Sequence, residues 1–304
     1  MRIVILGAAA GGGFPQWNCN CGGCRRARAG DPAAKPRTQS SLAVSADGER
    51  WVLLNASPDL RQQILANPAL HPRHGARHSP IGAVVLTNAD VDHIIGLIDL
   101  REGHPFSLYA TPEIQDVLAA NPVFGVLNPA LVSRRPLALN GPVEIDTPTG
   151  PSGLSVEMFP VPGKVALFLE SEGMRLDQET GHTVGLELRA NGRRVVYVPG
   201  CARVSDALFN RMHGADVVFF DGTVWHDDEM QAAGVGTKTG RRMGHLPIAG
   251  PDGSLAALQH LRAGRKILIH INNTNPILLD DSPERAALAA AGWEVAEDGR
   301  EVTP

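Results

Sequence analysis

Long apolar runs are missing from this sequence. No stretch approaches the roughly 18–20 consecutive apolar residues that a bilayer-crossing helix needs, so membrane insertion is not expected. An excess of one charge is missing too. Twenty-eight Lys and Arg stand against 32 Asp and Glu, for a formal net charge of −4. The basic residues are scattered apart from short runs such as "CRRAR", which is no electrostatic footprint for nucleic acid. There is no cationic leader. The opening "MRIVILGAAAGGG" runs from a short apolar stretch straight into glycines, and reads as a first β-strand rather than a signal peptide. A cytoplasmic protein is therefore expected. Cysteine is scarce, with four in 304 residues. Three of them crowd into "CNCGGC", and in a reducing compartment such a cluster favours a metal over disulfides.

What is present is the material of an ordinary globular core, 43% apolar and 20% charged. Short apolar strand candidates recur: "RIVILG", "SLAVSA", "WVLLNA", "AVVLTN", "SLYATP", "LSVEMFPV", "VGLELRA", "RRVVYVPG", "DVVFFDG" and "KILIHIN". Helix candidates lie between some of them: "PDLRQQILAN", "DHIIGLIDLREG", "PEIQDVLAAN", "SDALFNRM", "SLAALQHLRA" and "SPERAALAAAG". Asp59 and Ser205 are candidate caps, and Pro283 suits a first helical turn after Ser282. Early strands come in consecutive pairs and later ones alternate with helices. That mixture predicts an α/β fold of two mixed sheets packed together with helices outside, an αββα sandwich, in a single domain over 1–304. The segment 121–152, with six prolines, reads as a long surface connection. A second irregular stretch, 227–245, contains four glycines and is of the sort that often carries function.

Chemistry concentrates in three places. Cys19, Cys21 and Cys24 have the spacing of a thiolate set for zinc, which wants a fourth donor for tetrahedral closure. "TNADVDH" follows an apolar strand and precedes a helix, delivering Asp92 and His93 to the turn between them. "KILIHINNTNP" ends an apolar strand on His270 and continues into an Asn-rich turn. The order strand, Asp-His, helix, and later strand, His, turn, suggests one site built from Asp92, His93 and His270. Near it, "DGTVWHDDEM" ends a strand on Asp221 and continues through Trp225 and three acids. It is either a solvated acidic loop or a substrate wall, with Trp225 stacking on a ring. Asn272 and Asn273 offer neutral donors and acceptors beside His270, and Asn88 suits a hydrogen bond to water or substrate.

The residues "GGGFPQWNCNCGGC", "TNADVDHIIGLIDLREG", "TVGLEL", "FFDGTVWHDDEM", "MGHLPI" and "LIHINNTNPIL", spread over 11–278, carry a resemblance. The chain resembles the metallo-β-lactamase superfamily, and within it the family of pyrroloquinoline quinone (PQQ) biosynthesis protein B. A related phosphodiesterase branch pairs three N-terminal cysteines with a later histidine around a structural zinc, and that similarity assigns His245 as the fourth zinc donor. Departures from the superfamily pattern are informative. Its loop reads H-x-H-x-D-H, but here the first two histidine positions are Asn88 and Asp90. Where a third would follow the strand "MFPV" stand Pro162 and Gly163, and the bridging carboxylate falls near Gly200. The first metal site is thus largely dismantled, while Asp92, His93 and His270 survive. Two histidines and one carboxylate are the ligand set of non-haem iron(II) oxygenases. Asp90 is either an extra ligand or an acceptor that orients His93, and His182 is a candidate for the missing ligand.

The resemblance implies a role in PQQ synthesis. The expected reaction is Fe2+-dependent hydroxylation of the tyrosine ring in a crosslinked Glu–Tyr precursor, with Zn2+ structural. It leaves two alternatives open: a carrier of PQQ or its precursor towards export, and a metal-dependent hydrolase. The expected partner is that small molecule, and a homodimer is left open.

Overall fold

The computed structural model describes residues 1–171 and 177–304. Fourteen strands alternate with short helices among them. One sheet contains β1 (Arg2–Gly7), β2 (Ser41–Ser45), β3 (Trp51–Leu54), β4 (Ile81–Val85), β5 (Phe106–Ala110) and β6 (Val132–Pro136). The other contains β7 (Pro142–Thr147), β8 (Gly150–Gly163), β9 (Gln178–Ala190), β10 (Arg193–Val198), β11 (Val217–Asp221), β12 (Arg265–Ile269) and β13 (Glu294–Val295), while β14 (Glu301–Val302) returns to the first. The spatial orders are β14-β1-β2-β3-β4-β5-β6 and β13-β12-β11-β10-β9-β8-β7. The sheets face one another across a shared apolar layer. Ile3, Ile5, Val52, Leu54 and Val85 meet Leu186, Leu188, Tyr197, Phe219 and Ile267 there. Two further clusters fill the outer faces beneath the helices. This is the expected αββα sandwich. Strands covered on both faces read as unbroken apolar runs because neither face meets water; β3 and β11 are buried along their whole length.

Three expectations about local structure are corrected. The segment 121–152 is no plain connection, because it holds β6, β7 and the start of β8. Its prolines concealed the strands. Pro136 and Pro142 lie on the outermost strands of their sheets, where a missing N–H breaks no interior ladder. The helix expected after Asp92 is a single α-turn, Val91–Ile94, which continues as 3-10 helix to Arg101. There the backbone serves another segment: Ala56 N donates to the His93 carbonyl, and Gly96 N to the Ala56 carbonyl. A Cβ on Gly96 would run into the Ser57 carbonyl, so only glycine permits this approach. Ser205 and Ser282 cap their helices by accepting from Leu208 N and Arg285 N. Asp59 does not cap; its Oδ2 accepts from the backbone and side chain of Gln39 instead.

β10, β11 and β12 run parallel, as do β3, β4 and β5. Their carboxyl ends therefore emerge along common sheet edges, where open α/β sheets gather functional loops. The turns after β4, β10, β11 and β12 meet at one cavity. No helix among the described residues is long and apolar enough to cross a membrane.

Candidate metal centres

The cavity, ≈ 240 Å³, has Asp92, His93 and His270 among its lining residues, together with Asn88, Asp90, His245 and Asn272. Asp92 and His93 ride the turn after β4. His270 follows β12 with a left-handed backbone, φ 59. Such a conformation costs roughly 1–3 kcal/mol for a non-glycine residue and persists where surrounding contacts impose it. Here Ile271 N donates to the Ala8 carbonyl and Ala10 N to the Ile271 carbonyl, so an extension of β1 holds the turn in place. One donor atom each from Asp92, His93 and His270 falls within 4.8 Å of the others.

Hydrogen bonds define the chemical state of both rings. Asn88 Oδ1 accepts from Asp90 N at 3.0 Å, which identifies that atom as oxygen. The same oxygen lies 2.7 Å from His93 Nδ1, so Nδ1 carries the proton. His93 Nε2 is then a bare lone pair, buried and without a partner among the described residues. Burial pushes this histidine down to about 4, so the ring is neutral near pH 7. An unpartnered imidazole nitrogen beside a carboxylate is what a cation ligand requires. His270 Nδ1 lies 2.9 Å from Thr223 Oγ1, whose own proton goes to the Asp221 carboxylate at 2.6 Å. His270 Nε2 meets Asp92 Oδ2 at 3.0 Å. Burial opposes charge on His270, but the hydrogen bond and charge of Asp92 outweigh it and raise its affinity for a proton. Burial likewise opposes charge on Asp92, and His93 and His270 overcome it, holding that carboxyl well below the usual range. The His270 ring and the Asp92 carboxylate thus hold one another at 3.0 Å, and both belong to the group of donor atoms that could meet a cation.

Asp221, expected on a substrate wall, is fully buried behind this floor. Its oxygens accept from Cys201 N, Thr223 N, Thr223 Oγ1 and His245 Nδ1. The substrate role is corrected to a structural one: the carboxylate is saturated by donors of its own chain. The same saturation counts against a second ion between Asp221, His245 and His270, although their donor atoms also lie within 4.8 Å. His245, expected to close the cysteine site, is instead stacked on His270 with ring centroids 5.1 Å apart. Its Nδ1 is committed to Asp221 at 2.7 Å. The loop over 227–245 folds back on the end of β11, with His245 N bonded to the Gly240 carbonyl and Leu246 N to the Cys201 carbonyl. Among the described residues, His245 is no member of the group formed by the three N-terminal cysteines.

Asn273, rather than His245, lies against the three sulphurs. Its side-chain amide lies 3.1 Å from Cys19 Sγ, 3.4 Å from Cys24 Sγ and 3.8 Å from Cys21 Sγ. It was expected near substrate. The turn after His270 points alternate residues to opposite sides, so Asn272 lines the cavity while Asn273 reaches the sulphurs. Burial pushes Cys24 up to about 11. Burial also opposes ionisation of Cys19, but hydrogen bonds led by the Cys21 N–H prevail and lower it. Three soft donors within 4.8 Å of one another suit zinc.

The remaining expectations divide. Asp90 lines the cavity, but its Oδ1 accepts from Leu167 N at 3.1 Å and faces Lys164 at 3.9 Å. Asn88 lines the cavity, as its expected contact with water or substrate requires, while its Oδ1 orients His93. Trp225 is not among the residues lining the cavity; it packs into the outer apolar cluster, and its backbone N–H donates to Glu229 Oε2 at 2.6 Å. His182 lies on β9, outside the described lining of the cavity. Sequence reasoning missed Thr223, the hub between Asp221, His245 and His270. A lone threonine two positions after an aspartate carries no signal until the fold brings it beneath both rings.

Comparison with known proteins agrees with this architecture. A model of the β-lactamase superfamily domain matches residues 50–271. Coenzyme PQQ synthesis protein B of Methylorubrum populi is 58% identical over 299 residues, covering 98% of each chain. The chain belongs to the coenzyme PQQ synthesis protein B family. A solved member of the PQQ synthesis protein B family, Zn2+-bound PqqB from Methylobacterium extorquens, superposes with a TM-score of 0.97 at 56% identity over 100% of both chains. A diphosphatase of the PhnP family shares the fold at a TM-score of 0.69 and 22% identity, over 100% of this chain and 97% of that one.

Proposed function

We propose that this chain acts in PQQ synthesis as a single-site Fe(II)-dependent hydroxylase of the tyrosine ring in a crosslinked Glu–Tyr precursor. The observation that carries the reading is the buried, unpartnered Nε2 of His93, converging with Asp92 and His270 on the floor of an open cavity. Two imidazoles and one carboxylate on one face suit Fe(II). When bound, that ion supplies the dioxygen activation a ring hydroxylation needs. The chain's own residues hold the site ready. Asn88 keeps the proton on His93 Nδ1, and Thr223, backed by Asp221, holds the His270 ring. Asp90 holds Leu167, a residue of the cavity wall, by accepting from its backbone N–H. His245, with Nδ1 committed to Asp221, turns its other edge to the substrate space. The three cysteines would hold a structural zinc, as soft thiolate donors do, with the Asn273 amide donating to their sulphurs.

The dismantled superfamily pattern supports one ion over two. Asn88 and Asp90 stand at two lost histidine positions and serve other partners. The test is oxygen uptake by anaerobically iron-loaded protein given the crosslinked Glu–Tyr compound. Uptake matched to ring hydroxylation is expected. No uptake, or anaerobic cleavage by the zinc-loaded protein, would overturn the proposal, the latter in favour of a hydrolase.

A further inference from the structure

We infer that Lys238 is a carboxylate-recognition residue of the cavity, the cation that meets a free carboxylate of the substrate. This deepens the proposed function and rests on its tyrosine-derived substrate. The argument is a charge census. Two lysines line the cavity, Lys164 and Lys238. Lys164 is matched: its Nζ lies 3.0 Å from Glu170 and 3.9 Å from Asp90, and donates to the Val165 carbonyl. The cavity acids are matched as well. Asp92 is engaged by His270, and Asp90 by Leu167 N and Lys164. Lys238 alone of these charged side chains has neither ion pair nor hydrogen bond among the described residues, although it is half-buried. An unpaired cation on a cavity wall gives an entering anion a complementary charge, which favours one class of ligand over another.

The segment presenting Lys238 is braced on both sides. Gln231 Nε2 donates to the Thr237 carbonyl at 2.7 Å, and Gly240 N to the Asp227 carbonyl at 2.8 Å. A Cβ at Gly240 would strike Val224, so the loop lies tight against the strand end that supplies Thr223. Lys238 is more exposed than the buried His93 and His270 of the floor. A ligand with its phenol on the floor would present its aliphatic carboxylate towards this cation. One unmatched positive charge suits a singly charged carboxylate. A phosphate dianion would leave charge unbalanced beside Asp90 and Asp92.

The experiment is calorimetric titration of the full chain with the dipeptide Glu-Tyr and with its dimethyl ester, which keeps the phenol but neutralises both carboxylates. Inorganic phosphate serves as competitor. Wild type is expected to favour the free dipeptide by about tenfold in Kd. Lys238→Met should abolish that preference while binding the ester as wild type does, which also reports an intact fold. Lys238→Arg should retain most of it. The inference is overturned if the preference survives in Lys238→Met, if wild type shows none, if neither probe binds saturably, or if phosphate displaces the dipeptide as well as free dipeptide does. None of these measurements uses oxygen or turnover. Failure of hydroxylation and failure of carboxylate recognition are therefore read separately.

Discussion

The two candidate metal centres share one short turn yet differ in almost every physical respect. His270 belongs to the cavity floor, and three residues later Asn273 touches the three cysteines. The cysteine group is soft and closed, with Cys19 and Cys24 buried and an amide packed over the sulphurs. The Asp92, His93 and His270 group is a mixed oxygen and nitrogen set opening on a cavity with an unfilled nitrogen. A closed thiolate set holds backbone in place, while an open mixed set leaves positions for a reactant. The comparison teaches that the first supports the second: the segment that meets the sulphurs is continuous with the strained residue that supplies an imidazole.

The largest effect should come from removing the open site's donors. Asp92→Ala and His270→Ala should each lose the labile metal and lower turnover by more than the roughly 10–100-fold typical of outlying partners. Elemental analysis should find the thiolate-bound metal unchanged, and loss of both metals would break the distinction between the sites. Next, Cys24→Ala should release the thiolate-bound ion and lower Tm by at least about 5 °C, read by calorimetry, because ligand binding there is folding free energy. Asn88→Ala, which removes the acceptor fixing the His93 tautomer, should weaken the open site's metal affinity roughly 10–100-fold in competition with a chelator.

A pH effect sharpens the link between the sites. Glu229 accepts from Thr274 Oγ1 and from Trp225 N, bracing the shared turn against the loop after β11. Burial raises its carboxyl to about 7. A carboxyl raised above its unfolded value adds stability that is full below about 4.5 and is lost as pH climbs through about 7. That contribution is on the order of 3 kcal/mol. Glu229→Gln should flatten this part of the stability profile in denaturant titrations from pH 4.5 to 7.5; an unchanged slope would remove the assignment. The smallest effect expected is on the cysteine site in His245→Ala. Its thiolate-bound metal content should match wild type, since His245 sits with His270 and Asp221. Loss of that metal would restore the sequence-based assignment.

Much of this molecule was written locally. Runs such as "WVLLNA" and "DVVFFDG" became strands because both their faces are covered by apolar layers, and that requirement shows as unbroken apolar sequence. Asp92 and His93 are neighbours on one turn, and the cysteines lie within six positions, so each half-site could be recognised from spacing. What completes each half-site was decided only in three dimensions. Asn273 lies 254 positions from Cys19, and His270 lies 178 from Asp92. Both closures depend on the extension of β1 pairing beside Ile271 after β12. Between two polar loop residues, His245 and Asn273, sequence offered chemistry but no direction. The loop after β11 carried the histidine to the cavity, and the turn after β12 carried the asparagine to the sulphurs. Residue type sets what a side chain can bind, but backbone pairing across hundreds of positions sets what it meets.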